Sequence, residues 1–244
     1  MVSTAEVEAQ ARRFAALGDS ARLRIAEQLL LGDASPGELA AVTGAATNLM
    51  AHHLRVLDEA GLIRRVRSEG DRRRSYVQLR RDDPAVRALA DLLTERVRPP
   101  AAPDRVVFVC THNSARSQLA AAAWGRISQL PTTSAGTHPA LAVHPLAVAT
   151  AARHALALDP AAPRAVADTI DPSDLVVAVC DNAYEELVTS ATAARVPGPR
   201  ASRDVVAWLH WSVPDPVRVG TKAAFEATYI HITGRVRDLA RALP

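Results

Sequence analysis

The 244-residue chain has only two cysteines, Cys110 and Cys180, and a single lysine, Lys222. Two cysteines are too few for a disulfide framework or for a four-cysteine zinc site. No apolar run reaches the roughly 18 residues that a transmembrane helix needs, and the N-terminal residues are too acidic for a signal peptide. These absences predict a reduced, cytoplasmic protein with no metal ion, no bound cofactor and no membrane partner.

The composition is that of a globular protein, with 48% hydrophobic and 23% charged residues. At roughly 100–200 residues per domain, the length allows one large domain or two small ones. Three prolines at positions 99, 100 and 103 interrupt any helix and predict a linker over 99–103. The segment before it is mainly helical, whereas apolar strands alternate with Ala-rich helices after it. The sequence therefore predicts two unlike domains, at 1–98 and 104–244.

Apolar residues at helical spacing predict four helices in the first sixty residues, at 7–17, 20–31, 35–42 and 47–60. The third helix begins at Ser35-Pro36-Gly37-Glu38, a capping box with proline at the first helical position. A short turn at 43–45 contains glycine and joins it to the fourth helix. That helix is expected to be capped by Thr47 and to bury Leu49, Leu54 and Leu57. Two short helices joined by a tight turn predict a helix-turn-helix unit.

A basic hairpin is predicted to follow this unit, with strands at 62–66 and 75–79. Between Arg64 and Arg81 there are eight arginines and only two acidic residues. A hairpin of this charge after a helix-turn-helix is typical of a wing that contacts phosphates, although a solvated surface would also explain the charge alone. The predicted DNA contacts are Thr47, Asn48, Ala51, His52 and Arg55 on the fourth helix, and Arg67, Arg72, Arg73 and Arg74 in the hairpin. His53 is expected to pack inside the domain.

Residues 8–82 resemble the ArsR-type winged-helix repressors in the stretches ALGDSARLRIAEQLL, ELAAVTG and HHLRVLDEAGLIRRVRSEGDRRRSYVQL. The resemblance implies a mainly α-helical domain with a β-wing that binds DNA as a homodimer. Arsenic-sensing members have a cysteine pair just before the helix-turn-helix, where this chain has Asp33-Ala34-Ser35-Pro36-Gly37. No cysteine precedes Cys110, so thiolate sensing inside this domain is excluded.

In the second half, the apolar strand 105–109 leads into the loop Cys110-Thr111-His112-Asn113-Ser114-Ala115-Arg116-Ser117, and a helix is predicted from about Gln118 to Ile127. Backbone N–H groups of such a loop, at the positive end of a helix, form an anion-binding site. The same environment favours a thiolate at Cys110, which we expect to act as a nucleophile. Arg116 has two donors for an oxyanion. The predicted oxyanion contacts are residues 111–116.

Two further features point to the same edge of a parallel sheet. The strand 175–179 ends at Cys180, and parallel strands deliver ligand-binding residues at their carboxyl ends. Asp215 lies between Pro214 and Pro216, and a carboxylate on so stiff a loop suits a general acid. An ordinary Asp-Pro turn would leave the same pattern.

Residues 104–242 resemble the low-molecular-weight tyrosine-phosphatase superfamily in VVFVCTHNSARSQLA, SAGTHP, DLVVAVC and WSVPDP. The resemblance implies an α/β three-layer fold with a parallel sheet. It is greatest to the arsenate-reductase branch, which implies that Cys110 attacks arsenate, Asp215 protonates the leaving oxygen and Cys180 resolves the intermediate. Ser117 and Asn113 would hold the loop and the thiolate. The phosphatase branch usually has a second loop cysteine and a tyrosine after Asp-Pro, where this chain has Ala115 and Val217.

Thioredoxin-coupled members of that branch have a third cysteine a few residues after the resolving one, and residues 181–187 contain none. The resemblance therefore implies an external reductant, which could be thioredoxin, a glutaredoxin-like protein or a low-molecular-weight thiol. Two alternatives to arsenate reduction stay open. One is a phosphatase acting on phosphotyrosine or a small phosphate ester. The other is a non-catalytic sensor in which oxyanion binding or the redox state of Cys110 and Cys180 controls DNA binding.

Overall fold

The computed structural model describes residues 3–93, 103–159, 161–193 and 207–243. The chain forms two compact units. One comprises Met1–Ser68 and Arg72–Val97, and the other comprises Arg98–Pro244 together with Glu69–Asp71. Apart from Pro103, the predicted linker lies outside the described residues.

The first unit is mainly helical, with one hairpin. Its helices are α1 (Thr4–Leu17), α2 (Ser20–Leu31), α3 (Pro36–Thr43), α4 (Thr47–Glu59) and α5 (Pro84–Leu93). Strands β1 (Ile63–Arg67) and β2 (Ser75–Leu79) pair antiparallel between α4 and α5. The core contains Ile25 and Leu29 of α2 with Leu54 and Leu57 of α4, all fully buried. The predicted helix-turn-helix and wing are confirmed.

The termini of α3 follow from its sequence. The Ser35 hydroxyl accepts the Glu38 N–H at 3.2 Å, and the Glu38 carboxylate accepts the Ser35 N–H at 2.7 Å. This capping box satisfies two N–H groups that have no partner within the helix. At the other end, Gly44 adopts a φ of 69°, a left-handed conformation that glycine tolerates better than other residues.

The start of α4 differs from the prediction in two respects. Ala46, not Thr47, is the N-cap residue, and it makes no side-chain capping bond. Thr47 is therefore the first residue inside the helix. Leu49 is 47% exposed, and Met50 is buried in its place. Met50 lies four residues before Leu54 and seven before Leu57 and therefore shares their buried face, whereas Leu49 points about 100° away from Met50.

The second unit is an α/β domain. Its elements are β3 (Arg105–Cys110), α6 (Arg116–Gly125), β4 (Thr132–Gly136), α7 (Pro145–Arg153), β5 (Asp174–Ala178), α8 (Asp181–Ala193), β6 (Ala207–His210), α9 (Pro216–Val219) and α10 (Lys222–Ala242). The helix predicted from about Gln118 begins two residues earlier, so Arg116 and Ser117 lie in its first turn.

The four strands form the predicted parallel sheet, and their order is β4-β3-β5-β6. Phe108 of β3 anchors the core: its ring centroid lies 6.1 Å from that of Trp124 on α6 and 5.7 Å from that of Trp211 after β6. All three rings are fully buried. Helices α6 and α10 pack together, and α8 packs on β3 and β5. The carboxyl ends of the two central strands, β3 and β5, are therefore adjacent.

Within the described residues, every helix is too short or too polar to cross a lipid bilayer.

Candidate oxyanion-binding and DNA-binding sites

The loop between β3 and α6 has the geometry of an anion site. Cys110 is the last residue of β3, and Ala115, the N-cap of α6, makes no side-chain capping bond. The first N–H groups of an α-helix have no acceptor within the helix and attract anions. The loop thus ends on N–H groups that a bound oxyanion would satisfy.

Asn113 fixes the curvature of this loop. It is fully buried and adopts a left-handed backbone conformation, with φ of 49°. Its side-chain amide donates to the hydroxyls of Ser117 and Ser134, each at 2.9 Å. Its side-chain oxygen accepts the Arg164 N–H, also at 2.9 Å. These bonds tie the Asn113 side chain to α6, to β4 and to the segment at Arg164, and they hold its backbone in the left-handed conformation.

Ser117 contacts the predicted nucleophile. Its hydroxyl oxygen lies 3.0 Å from the Cys110 sulfur, and both groups are buried. The Asn113 amide donates to the same oxygen, and in the contact between Ser117 and Cys110 either the hydroxyl or the thiol can be the donor. Ser117 therefore lies within hydrogen-bond distance of the predicted nucleophile.

Arg116 is the buried cation of the site, with 5% of its surface exposed. Its Nη1 donates to the Val213 carbonyl at 2.9 Å, and its Nη2 lies 3.4 Å from the Asp215 carboxylate. Burial opposes the charged form, but the nearby Cys180, Cys110 and Asp215 outweigh it and raise the pKa of Arg116. The guanidinium is therefore a fixed positive charge at all physiological pH values.

Asp215 reaches the site from the loop after β6. One carboxylate oxygen caps α9 by accepting the Val217 N–H at 3.1 Å, and the other faces Arg116. The flanking Pro214 and Pro216 restrict this loop. The predicted general acid and the predicted oxyanion-binding arginine are thus brought together.

Cys180 lies on the neighbouring strand end, beside the same loop. Its sulfur is 3.6 Å from the Thr111 hydroxyl and accepts a hydrogen bond from the Ala183 N–H in the first turn of α8. Burial raises the pKa of Cys180 to about 11, because the Arg116 charge and these two hydrogen bonds only partly offset it. The resting side chain is consequently a neutral thiol.

The remaining loop residues face a second loop, over 137–144. Backbone N–H groups of that loop donate to the carbonyls of Thr111, His112 and Ser114 at 2.8–2.9 Å. The exposed His112 ring also contacts the His138 carbonyl at 2.9 Å. Ala115 is buried against Ala147 and Phe225. The carbonyls of this segment therefore point away from the anion site.

Three supporting residues were missed by reasoning from the sequence: Ser134, Gly136 and Arg164. A Cβ at Gly136 would lie 2.8 Å from the Thr111 carbonyl oxygen and 2.9 Å from the Asn113 nitrogen. Glycine is therefore required at position 136, where β4 meets the loop. The motif SAGTHP contains two of these residues, but nothing local indicates their contact with Asn113.

The model for "Low molecular weight phosphotyrosine protein phosphatase" matches residues 105–244, more than half of the chain. The chain belongs to this family. A second model, for bacterial regulatory proteins of the arsR family, matches residues 19–65. No curated protein matches the chain as a whole or in part.

Solved structures resemble each part of the chain. An arsenate reductase from Archaeoglobus fulgidus is 25% identical, with 55% of this chain and 98% of that chain covered and a TM-score of 0.43. An arginine phosphatase from Geobacillus stearothermophilus is 20% identical, with 57% and 91% covered and a TM-score of 0.46. A homodimeric winged helix-turn-helix domain from Mycobacterium bovis is 26% identical, with 36% and 78% covered and a TM-score of 0.33.

The predicted DNA contacts of the arsR-family region lie on one helix and one hairpin. The structure leaves all of them exposed: Thr47, Asn48, Ala51, His52, Arg55, Arg67, Arg72, Arg73 and Arg74. On α4, a nitrogen of Arg55 lies 3.3 Å from the His52 ring and another 3.1 Å from Glu59. His53 is 7% exposed and packs inside, as predicted.

Within the described ranges, no three His, Cys, Asp or Glu side chains are grouped as metal ligands. The two cysteines are free thiols in the structure.

Proposed function

We propose that the chain is a thiol-dependent arsenate reductase fused to a DNA-binding regulator of arsenic resistance. The observation that carries this proposal is the second thiol of the site: Cys180 contacts Thr111 and lies in the field of Arg116. Hydrolysis of a phosphate ester through Cys110 would need no such thiol. Reduction of As(V) needs two electrons, which two thiols supply when they form a disulfide.

In the first step, the Cys110 thiolate attacks arsenate bound by the loop N–H groups and Arg116. An S–As bond forms, and an As–O bond breaks. Asp215 supplies the proton that lets this oxygen leave as water. The dianionic character of arsenate is matched by Arg116 and by the first turn of α6, which are already in place before the substrate binds.

In the second step, Cys180 attacks the Cys110 sulfur. An S–S bond forms, the S–As bond breaks, and its electron pair remains on arsenic, which leaves as arsenite. The Cys110 thiolate is one of the groups that raise the Cys180 pKa. In the adduct the negative charge lies on the arsenic oxygens instead of on the Cys110 sulfur, and the Cys180 proton passes to one of these oxygens as arsenite leaves.

An external thiol would then reduce the Cys110–Cys180 disulfide. Thioredoxin, a glutaredoxin-like protein and a small thiol are the candidate reductants. The arsR-family region would bind DNA through α4 and the wing as a homodimer, with the wing arginines on phosphates.

Phosphatase activity is the second candidate function. The Asp215 carboxylate lies 3.4 Å from the Arg116 guanidinium, so it would lie beside a phosphoryl group bound by that arginine and could protonate its leaving oxygen. The thiolate, arginine and acid would serve a cysteinyl-phosphate intermediate equally well. In that reaction Cys180 would be dispensable.

A single-turnover experiment separates the two functions. Pre-reduced protein, freed of external thiol, is mixed with arsenate, and arsenite and protein disulfide are quantified. We expect one arsenite and one disulfide per chain. Cys110→Ser should abolish both, and Cys180→Ser should abolish arsenite release in the absence of added thiol.

Hydrolysis of p-nitrophenyl phosphate is the matched assay. Cys110→Ser should lower it on the order of 10³-fold or more, while Cys180→Ser should leave it within about twofold, because that thiol takes no part in hydrolysis. Steady-state arsenate reduction is then measured with each candidate thiol supplied separately. Efficient ester hydrolysis with no arsenite under any thiol would overturn the reductase proposal in favour of the phosphatase.

A further inference from the structure

A carboxylate other than Asp215 contacts the oxyanion-binding arginine. Glu69 belongs to the same compact unit as the loop. One oxygen of its carboxylate lies 3.1 Å from Nη1 of Arg116, and the other accepts the Asp215 N–H at 2.9 Å. Both carboxylate oxygens of Glu69 are therefore bound by groups of the candidate active site.

The backbone around Glu69 is also held. The Glu69 N–H donates to the Asp181 carboxylate at 2.8 Å, and the Asp71 N–H donates to Glu185 at 2.9 Å. Between them, Gly70 is so close to α8 that an added Cβ would lie 2.6 Å from a Glu185 oxygen. These contacts fix the segment 69–71 on both sides of the carboxylate, so its approach to Arg116 is more than the chance contact of a mobile side chain.

The Glu69 carboxylate resembles an oxyanion substrate in charge and in hydrogen-bonding groups. It is an anion with oxygen acceptors, and arginine binds carboxylates and tetrahedral oxyanions with the same donors. With Asp215 also at Arg116, the buried guanidinium is satisfied without any added anion. An incoming oxyanion must therefore displace one of these carboxylates or share the arginine with it.

We propose that Glu69 is an internal ligand of the oxyanion site, which arsenate or phosphate displaces. The proposal rests on the function proposed above, because it assumes that oxyanions bind at Arg116. Such an internal competitor lowers the apparent affinity for substrate by the fraction of molecules in which the site is open. It makes the site selective for anions that bind arginine better than a carboxylate does.

The first test measures the equilibrium binding of inorganic phosphate to the full-length protein by calorimetry. Glu69→Gln should bind phosphate several-fold to about tenfold more tightly, since the competing charge is gone. Asp82→Asn removes an exposed carboxylate from the loop after β2 and serves as the matched control; its affinity should equal that of the unaltered protein. Equal affinities for Glu69→Gln and the control would overturn the proposal.

A second measurement separates occupation of the site from a general charge effect. Alkylation of Cys110 by neutral iodoacetamide is followed by mass spectrometry as a function of pH. At high pH the rate reaches a plateau that reports access to the ionised sulfur alone. We expect Glu69→Gln to raise this plateau several-fold. A shifted midpoint with an unchanged plateau would mean that Glu69 acts only through its field, and would overturn the proposal.

These readouts do not depend on turnover. Tighter phosphate binding by Glu69→Gln without arsenite formation by any form of the protein would support the internal ligand while removing the reductase function. If arsenite forms but Glu69→Gln changes neither phosphate binding nor the alkylation plateau, the reductase function is supported and the internal ligand is excluded.

Discussion

At the scale of single residues, burial decides what each ionisable group of the site can do. Arg116 and Cys180 are both buried, and burial favours the neutral form of each group. Nevertheless Arg116 stays charged, whereas Cys180 is a neutral thiol. The difference comes from their surroundings, since Arg116 lies among anions and thiols whereas Cys180 has one partly compensating cation. A permanently charged arginine, Arg116, and a neutral thiol, Cys180, therefore lie beside the same loop.

The raised pKa of Cys180 predicts a loss of stability in alkali. Its folded-state pKa is about 11, against an ordinary value of 9.0. The stability that comes from burying the neutral thiol is therefore complete below about pH 9 and is lost as the pH rises toward 11. We expect the thermal unfolding temperature of Cys180→Ser to fall less steeply over this range than that of the unaltered protein.

Cys110→Ser is the control for this measurement, because it removes the other thiol and keeps Cys180. Its unfolding temperature should retain most of the alkaline slope. If Cys180→Ser loses stability as steeply as the unaltered protein, the buried thiol is not the titrating group.

At the scale of elements, short local signals decide where helices begin. Ser35 and Pro36 start α3 where the sequence predicts, because a capping box involves only residues three apart. The start of α4 is different: the capping residue is Ala46, which makes no side-chain bond, so packing of Met50 and Leu54 sets the helix position. Local capping signals are weaker than the burial of an apolar stripe.

These two helix starts predict unequal effects of alanine substitution on stability. Ser35→Ala should lower the free energy of unfolding by about 1 kcal/mol, because it leaves the Glu38 N–H without its cap. Thr47→Ala should change it by less than about 0.5 kcal/mol, since Thr47 is exposed and makes no capping bond. Urea unfolding of both variants gives the comparison, and a larger loss for Thr47→Ala would contradict the assigned start of α4.

At the scale of the whole molecule, the question is whether the oxyanion site and the DNA-binding region influence each other. The segment 69–71 is continuous in sequence with the arginines at 67 and 72–74. An oxyanion that displaces Glu69 would change the state of residues 69–71, which are joined to those arginines through the backbone. Coupling of this kind requires only that the oxyanion binds one state of the hairpin better than the other.

We therefore expect arsenate to tighten DNA binding several-fold, because displacement of Glu69 would leave residues 69–71 less fixed, so that the arginines next to them in sequence could adjust to the phosphates. The measurement is a gel shift on a mixed-sequence duplex of about 30 base pairs, which spans two half-sites one helical turn apart. Sodium chloride at equal ionic strength is the control, since salt alone weakens DNA binding. Glu69→Gln should bind DNA tightly with or without arsenate; an unchanged response in this variant would exclude Glu69 as the link.

The sequence by itself determined the features that depend on residues close together in the chain. These are the two unlike domains, the capping box, the helix-turn-helix, the parallel strands and the loop from Cys110 to Ser117. Hydrophobic periodicity and helix capping depend on residues that are close together in the chain, so both can be predicted from the sequence. Parallel strand ends also follow from the pattern, which placed Cys110 and Cys180 at one edge.

Only the tertiary structure decided which distant groups share that edge. The approach of Gly136 to the loop, the bond from Arg164 to Asn113 and the contact of Glu69 with Arg116 join segments far apart in sequence. No periodicity or motif specifies such pairs, because they arise from how the sheet and helices pack. The sequence thus pointed to the groups that we propose to react, whereas packing raised the pKa of Cys180 and placed Glu69 and Asp215 beside Arg116.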